Sequence, residues 1–181
     1  MNIYNNLALF DDDGNVNTII EVQKGTKTKY EYNKELDLIV LDRILHTPIP
    51  FPYSYGFFPQ TWNDDDHDPL DSIVIASEPI MPGAAVACRV IGYMEVVDRG
   101  EKDDKVLCVP ASDPAMKHIK TYEDLSEKDR ADFVYFLSHY KDLENKKVEF
   151  KAWHNADEAM ALLKSCQQAY VEKTAAKSGK K

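Results

Sequence analysis

The chain has 181 residues, 44% of them hydrophobic and 29% charged, the profile of an ordinary folded domain rather than a disordered chain. Its formal net charge of −9 opposes nucleic acid and anionic membrane at long range, and no apolar run reaches the length of a membrane span. Three cysteines, Cys88, Cys108 and Cys166, are odd in number and lack a CxxC pair, which argues against a disulfide framework or zinc site and suits a reducing cytosol.

The first ten residues lack the basic start and apolar stretch of a signal peptide. The first half then reads as short strands at residues 16–22, 27–32, 36–42, 72–76 and 85–97, rich in Ile, Val, Tyr and Thr. Between the third and fourth lies Thr47-Pro-Ile-Pro-Phe-Pro-Tyr-Ser-Tyr-Gly-Phe-Phe-Pro59, whose four prolines forbid a helix. It reads as an aromatic loop over the barrel, with Tyr53 or Tyr55 offering a hydroxyl to a site. Another short apolar strand at 106–109 stops at Pro110.

Two helices close the chain. Ser126 with Asp129 marks the start of the first, whose Phe133, Phe136, Leu137 and Tyr140 share one face. Asn155 and Glu158 repeat the cap, and Ala159, Leu162, Leu163, Cys166 and Tyr170 form the second stripe. The predicted fold class is α+β, mainly β: an antiparallel barrel or sandwich with helices at one side. Residues 1–173 read as a single domain and 174–181 as a disordered basic tail.

Three places carry chemistry. In Trp62-Asn-Asp-Asp-Asp-His-Asp-Pro-Leu-Asp71, five of the eight residues from 64 to 71 are aspartates. Such crowded carboxylates must be solvated, protonated or neutralised by cations. A solvated acidic loop is the plain alternative, but the run feeds into the apolar Ile73, Val74 and Ile75, and an extended backbone puts Asp66 and Asp68 on one face. A calcium EF-hand fails on register, with Pro69 where glycine belongs and Ile75 where glutamate belongs. In Asp98-Arg-Gly-Glu-Lys-Asp-Asp-Lys105 a polar hairpin explains the residues equally well, yet Asp103 and Lys105 would share a face at the start of a strand. Lys29 and Glu31 alternate on a strand, Arg43 ends another, and Tyr140 and Lys141 close a helix. Oxygen donors without His or Cys select hard cations such as Mg²⁺, and lysines, an arginine and phenols supply what phosphoryl oxygens need. There is no GxxxxGK[ST] loop and no GxGxxG.

These segments resemble the soluble family I inorganic pyrophosphatases. Asp66-His-Asp-Pro-Leu-Asp71 is similar to the family's D-x-D-P-x-D signature, and residues 98–105 to its D-x-G-E-x-D-x-K loop. Lys29-Tyr-Glu31, Asp42-Arg43, Tyr53-Ser-Tyr-Gly56 and His139-Tyr-Lys-Asp-Leu-Glu144 match in order, so that the likeness runs over about 19–169. The resemblance implies a five-stranded OB-like barrel with flanking helices, two of them near the C-terminus. It further implies hydrolysis of pyrophosphate with three or four Mg²⁺ ions, Mn²⁺ or Co²⁺ being substitutes. By resemblance, Asp66, Asp71 and Asp103 hold the first metal, with Asp71 bridging to a second, and Asp98 and Asp103 hold a further one. Asp68 is then the general base; Lys29, Arg43, Tyr55, Lys105, Tyr140 and Lys141 bind phosphate and support the leaving group; Glu21 and Glu31 order metal-bound water. A cytoplasmic homo-oligomer, a hexamer by preference, is implied, with no nucleic-acid or membrane partner. Two departures are His67, where the family has a small residue, and Ser72, where an apolar one is common. His67 is either a metal or substrate contact or, the plainer reading, a solvent-facing residue whose type tolerates a strained turn.

Overall fold

Five strands close into a ring in the computed structural model, which describes residues 2–178. In chain order the elements are α1 (Ile3–Asn6), β1 (Val16–Val22), β2 (Thr28–Asn33), β3 (Leu38–Ile44), β4 (Ser54–Phe57), β5 (Asp71–Val74), β6 (Ala85–Asp98), β7 (Glu101–Lys102), β8 (Lys105–Pro110), α2 (Glu127–His139), β9 (Val148–His154) and α3 (Ala156–Ser178). The ring runs β1-β4-β5-β8-β6 and returns from β6 to β1. β2 and β3 form a separate two-stranded hairpin. This is the mainly-β, OB-like barrel that the sequence leads one to expect.

Two features of the ring depart from the sequence reading. The pairing of β5 with β8 is parallel, with Asp71 opposite Lys105, whereas the other ring pairings are antiparallel. The proline-rich segment contributes a ring strand, β4, because its prolines lie at 48, 50, 52 and 59, outside Ser54–Phe57. Gly56 lets β4 lie close against β1: a Cβ there would meet the Ile19 carbonyl oxygen at 1.9 Å.

β8 is buried along its whole length, and its side chains alternate between two apolar clusters. Leu107 and Val109 join one cluster with Phe51, Tyr53, Ile73 and Met94, which α2 covers with Phe133, Phe136 and Leu137. Val106 and Cys108 join the other with Val16, Ile20 and Cys88, which α3 covers with Ala159, Leu163 and Cys166. Burial on both faces is why this strand reads as a continuous apolar run. The three cysteines are buried and unbridged.

Both caps form. Ser126 Oγ accepts from Asp129 N at 3.0 Å, and Asn155 Oδ1 from Glu158 N at 3.0 Å. α3 continues to Ser178 instead of ending at Lys173. Ala175 and Ala176 are strong helix formers, and Thr174 Oγ1 bonds back to the Tyr170 carbonyl at 2.9 Å. Residues 174–178, read from the sequence as tail, thus continue the helix, and residues 179–181 lie outside the described part. Ser72, the apolar-to-polar departure, is fully buried and shares a hydrogen bond with Thr18, whose hydroxyl also reaches the Phe57 carbonyl at 3.0 Å.

Candidate active site

A cleft of about 300 Å³ opens where the ring meets the β2–β3 hairpin and the C-terminal end of α2. All thirteen residues singled out in the sequence line it: Glu21, Lys29, Glu31, Arg43, Tyr55, Asp66, Asp68, Asp71, Asp98, Asp103, Lys105, Tyr140 and Lys141.

The acidic segment is folded differently from the extended stretch expected of it. Asn63 N donates to the Asp68 carbonyl at 2.8 Å and His67 N to the Asn63 carbonyl at 3.0 Å, closing a tight turn. His67 takes φ of 60°, is exposed, and stacks on Trp62 with ring centroids 6.1 Å apart; it does not line the cleft. That agrees with the solvent-facing reading. Asp66 and Asp68 meet through the turn instead of through strand alternation, with Asp68 N donating to Asp66 Oδ1 at 3.1 Å.

The parallel pairing of β5 and β8 sets Asp71 beside Lys105, whose ammonium bonds both Asp71 and Asp103. Asp98 ends β6, and Lys141, just past α2, donates to its Oδ2 at 2.6 Å. On the hairpin, Lys29 pairs with Glu31 and lies 3.5 Å from Asp42. Arg43 bonds Asp42 and reaches Glu144 Oε1 at 3.1 Å through Nε. Glu21 accepts from Tyr32 N at 2.6 Å.

Crowding and burial perturb these groups. Burial, reinforced by Asp71 and Asp103, pushes the Asp66 carboxyl up to about 7. Burial pushes Glu21 up to about 8, against the pull of the Tyr32 N–H. Asp103 is also raised by burial, with Lys105 opposing. Burial works against the Lys105 ammonium, but Asp103 and Asp71 outweigh it and hold its pKa above the usual lysine value. The Tyr55 and Tyr140 phenols are raised by burial, so both are neutral hydrogen-bond donors near neutral pH.

Sequence reasoning missed three cations in the cleft: Lys34, Arg99 and Lys146. Arg99 lies inside a motif already quoted, but Lys34 in its turn and Lys146, one of two adjacent lysines before β9, have no spacing to mark them. With these included, seven carboxylates (Glu21, Glu31, Asp66, Asp68, Asp71, Asp98, Asp103) face seven cations (Lys29, Lys34, Arg43, Arg99, Lys105, Lys141, Lys146). The excess of negative charge on the chain therefore lies outside the cleft.

The donor set fits a hard cation. Among the described residues no His or Cys lines the cleft, and Asp98 Oδ1 is a buried carboxylate oxygen with no hydrogen-bond partner. A divalent metal would satisfy that oxygen. Among the described residues no three acids or imidazoles gather into a ready-made coordination shell. Magnesium keeps several waters and takes substrate phosphate as a ligand, so its carboxylates need not stand gathered before the ion and the substrate arrive.

The family model for inorganic pyrophosphatase matches residues 18–171. An inorganic pyrophosphatase of Synechocystis sp. is 40% identical over 157 residues, covering 87% of this chain and 92% of that protein. One of Geobacillus stearothermophilus is 38% identical and covers 87% of this chain and 94% of its own. The crystal structure of inorganic pyrophosphatase from Thermus thermophilus aligns with a TM-score of 0.88 at 33% identity, over 94% of this chain and 99% of that one. Sequence and fold agree over nearly the whole length, and the chain belongs to the inorganic pyrophosphatase family.

Proposed function

We propose that this chain hydrolyses inorganic pyrophosphate to two orthophosphates, dependent on Mg²⁺, by direct attack of water without a covalent enzyme intermediate. The observation that carries the reading is the convergence of thirteen widely separated residues on one cleft with equal numbers of carboxylates and cations. An anionic substrate bound with several cations keeps such a site near neutrality.

Asp66, Asp71 and Asp103 would hold one metal, Asp71 bridging to a second, and Asp98 with Asp103 a further one, for three or four in all. When bound, Mg²⁺ neutralises phosphoryl charge and lowers the pKa of a coordinated water; Mn²⁺ or Co²⁺ would substitute. Asp68 takes the proton from the attacking water as the new P–O bond forms and the bridging P–O bond breaks. Lys29, Arg43, Lys105 and Lys141 grip the phosphoryl oxygens, and Tyr55 and Tyr140 donate neutral hydrogen bonds to them. Glu21 and Glu31 orient water around the metals. Glu144 holds Arg43 through Nε, which keeps the guanidinium face turned to the cleft.

We further read 1–173 as one catalytic domain, acting in the cytoplasm as a homo-oligomer, a hexamer by preference. Exposed Leu38, Leu41, Tyr135 and Leu143 support association. The balance of charge in the cleft and the acidic exterior speak against nucleic acid, and no described helix is long and apolar enough to cross a membrane.

The test is phosphate release from pyrophosphate during a Mg²⁺ titration, with ATP and p-nitrophenyl phosphate alongside. Release from pyrophosphate that vanishes with chelator, and falls by roughly 10²- to 10⁴-fold in Asp68→Asn, is expected. No release with Mg²⁺, Mn²⁺ or Co²⁺ would refute the reading.

A further inference from the structure

Lys34 occupies the turn between β2 and β3, and the roles assigned above leave it unused. Its ammonium pairs with Asp68 Oδ1. The same Nζ lies 5.1 Å from the Trp62 ring centroid and 5.9 Å from that of Tyr4. Two aromatic faces thus clamp the cation that holds the carboxylate.

The clamp rests on fixed parts. Asn33 Oδ1 accepts from the backbone of Glu35 at 3.0 Å and Leu36 at 2.9 Å, shaping the turn. Asp37 Oδ1 accepts from Ile3 N at 3.0 Å and the Tyr32 hydroxyl at 2.6 Å, tying the turn to the N-terminal segment that carries Tyr4. Trp62 is held by its indole N–H on Asp64 at 2.8 Å and its backbone N–H on the Cys166 carbonyl at 2.9 Å. Asp68 itself is loosely placed: its side chain is 64% exposed. Lys34 is its only side-chain hydrogen-bond partner among the described residues, through Oδ1, while Oδ2 has none. An ion pair so exposed adds little to stability, and the two rings also pack elsewhere, Tyr4 on Phe57 and Tyr170 and Trp62 on His67 and the Lys173 ammonium, so the consequence of the pair lies in where it holds Asp68.

We propose that Lys34 is a positioning residue for Asp68: it pins Oδ1 and leaves Oδ2 aimed into the cleft to take the proton of the attacking water. This rests on the pyrophosphatase reading and on Asp68 as its base. A base misplaced by about 1 Å costs on the order of 10²-fold in rate, so the lysine's contribution belongs in kcat. A lysine that gripped substrate equally in ground and transition states would appear in KM instead.

The experiment compares wild type, Lys34→Met, Lys34→Arg, Asp68→Asn and the Lys34→Met/Asp68→Asn double variant in kcat and KM for pyrophosphate with Mg²⁺. Crystal structures of wild type and Lys34→Met provide a readout independent of activity. Wild-type turnover comes first: its absence removes the functional reading, and its presence makes the lysine arms decisive. Lys34→Met is expected to lower kcat roughly 10- to 100-fold with KM within about twofold. Lys34→Arg should restore most of the loss, Lys34→Met should cost nothing further in the Asp68→Asn background, and the Asp68 carboxylate should become multiply oriented. A raised KM with kcat intact, an equal loss in both backgrounds, an Asp68 that keeps its single orientation, or no effect would each overturn the proposal. If Lys34→Met does not fold, Lys34→Gln, which removes the charge and keeps the polar chain, takes its place in every arm, and the same results support or overturn the proposal.

Discussion

Replacing Gly56 with alanine tests the closure of the ring directly. The added Cβ would stand 1.9 Å from the Ile19 carbonyl oxygen and 2.8 Å from its carbon, both backbone atoms that no rotamer change can move. Ordinary contact begins near 3.4 Å, so β4 must retreat from β1 by about 1.5 Å. Ile20 bonds Ala84 and Gly83 through its backbone, so the ladder bonds at this crossing are the two of the Ile19–Phe57 pair, which then stretch beyond hydrogen-bonding reach. Two lost bonds at about 1 kcal/mol net each, with overpacking strain of about 1–3 kcal/mol, give a loss of about 3–5 kcal/mol. For a chain of this size that lowers Tm by roughly 6–20 °C. Urea unfolding followed by circular dichroism should show the midpoint falling with little change in slope. A variant within about 0.5 kcal/mol of wild type would refute the inference that only glycine fits at this crossing.

Tyr53 is buried, packed edge-on against Phe133 at 4.9 Å between centroids, and its hydroxyl has no partner among the described residues. Tyr53→Phe should therefore match or exceed wild-type stability by about 1 kcal/mol in urea midpoints, and a comparable loss would show that the hydroxyl is bonded in solution. His154 is the pH-dependent case. Burial disfavours its charge, but Glu95 at 3.0 Å and Glu158 at 3.3 Å outweigh this and hold its pKa above 6.5. A raised folded-state pKa contributes fully below the unfolded value and is lost as pH rises through the folded one. The stability difference between wild type and His154→Asn should accordingly be largest below about pH 6.5 and fade above it. A difference that stays level from pH 5.5 to 9 would remove the ion pairs from the account.

Local chemistry was legible where one segment suffices to express it. The β-branched run at 16–22 is β1 to the residue, and the caps at Ser126 and Asn155 start both helices. Pairing between distant segments was not: nothing in residues 71–74 says that they lie parallel to 105–108. β9 was legible in principle, since Val148, Phe150 and Ala152 alternate with Glu149 and Lys151 at the period of a half-buried strand, and only its lack of a β-branched run set it apart from the strands that were found. β4 was masked by neighbouring prolines. In the cleft, carboxylates clustered in sequence could be found by crowding alone, whereas Lys34 declares itself only when the hairpin brings it to Asp68.

The hairpin itself sets an order of failure. It carries Lys29, Glu31, Lys34 and Arg43 into the cleft, yet of its strand residues and turn only Tyr32 joins an apolar cluster, and Leu36, Leu38, Leu41 and Ile44 lie largely exposed. Such an arm peels away at a lower free energy than the ring unfolds. A molecule with its barrel intact would then have lost four of the charged groups that line its cleft. On the proposed function the substrate would reverse this, because phosphate bridging the arm to the wall that bears Lys105 would fasten the two together. Saturation would keep the enzyme in working order as well as in turnover, and starvation would leave the arm loose first.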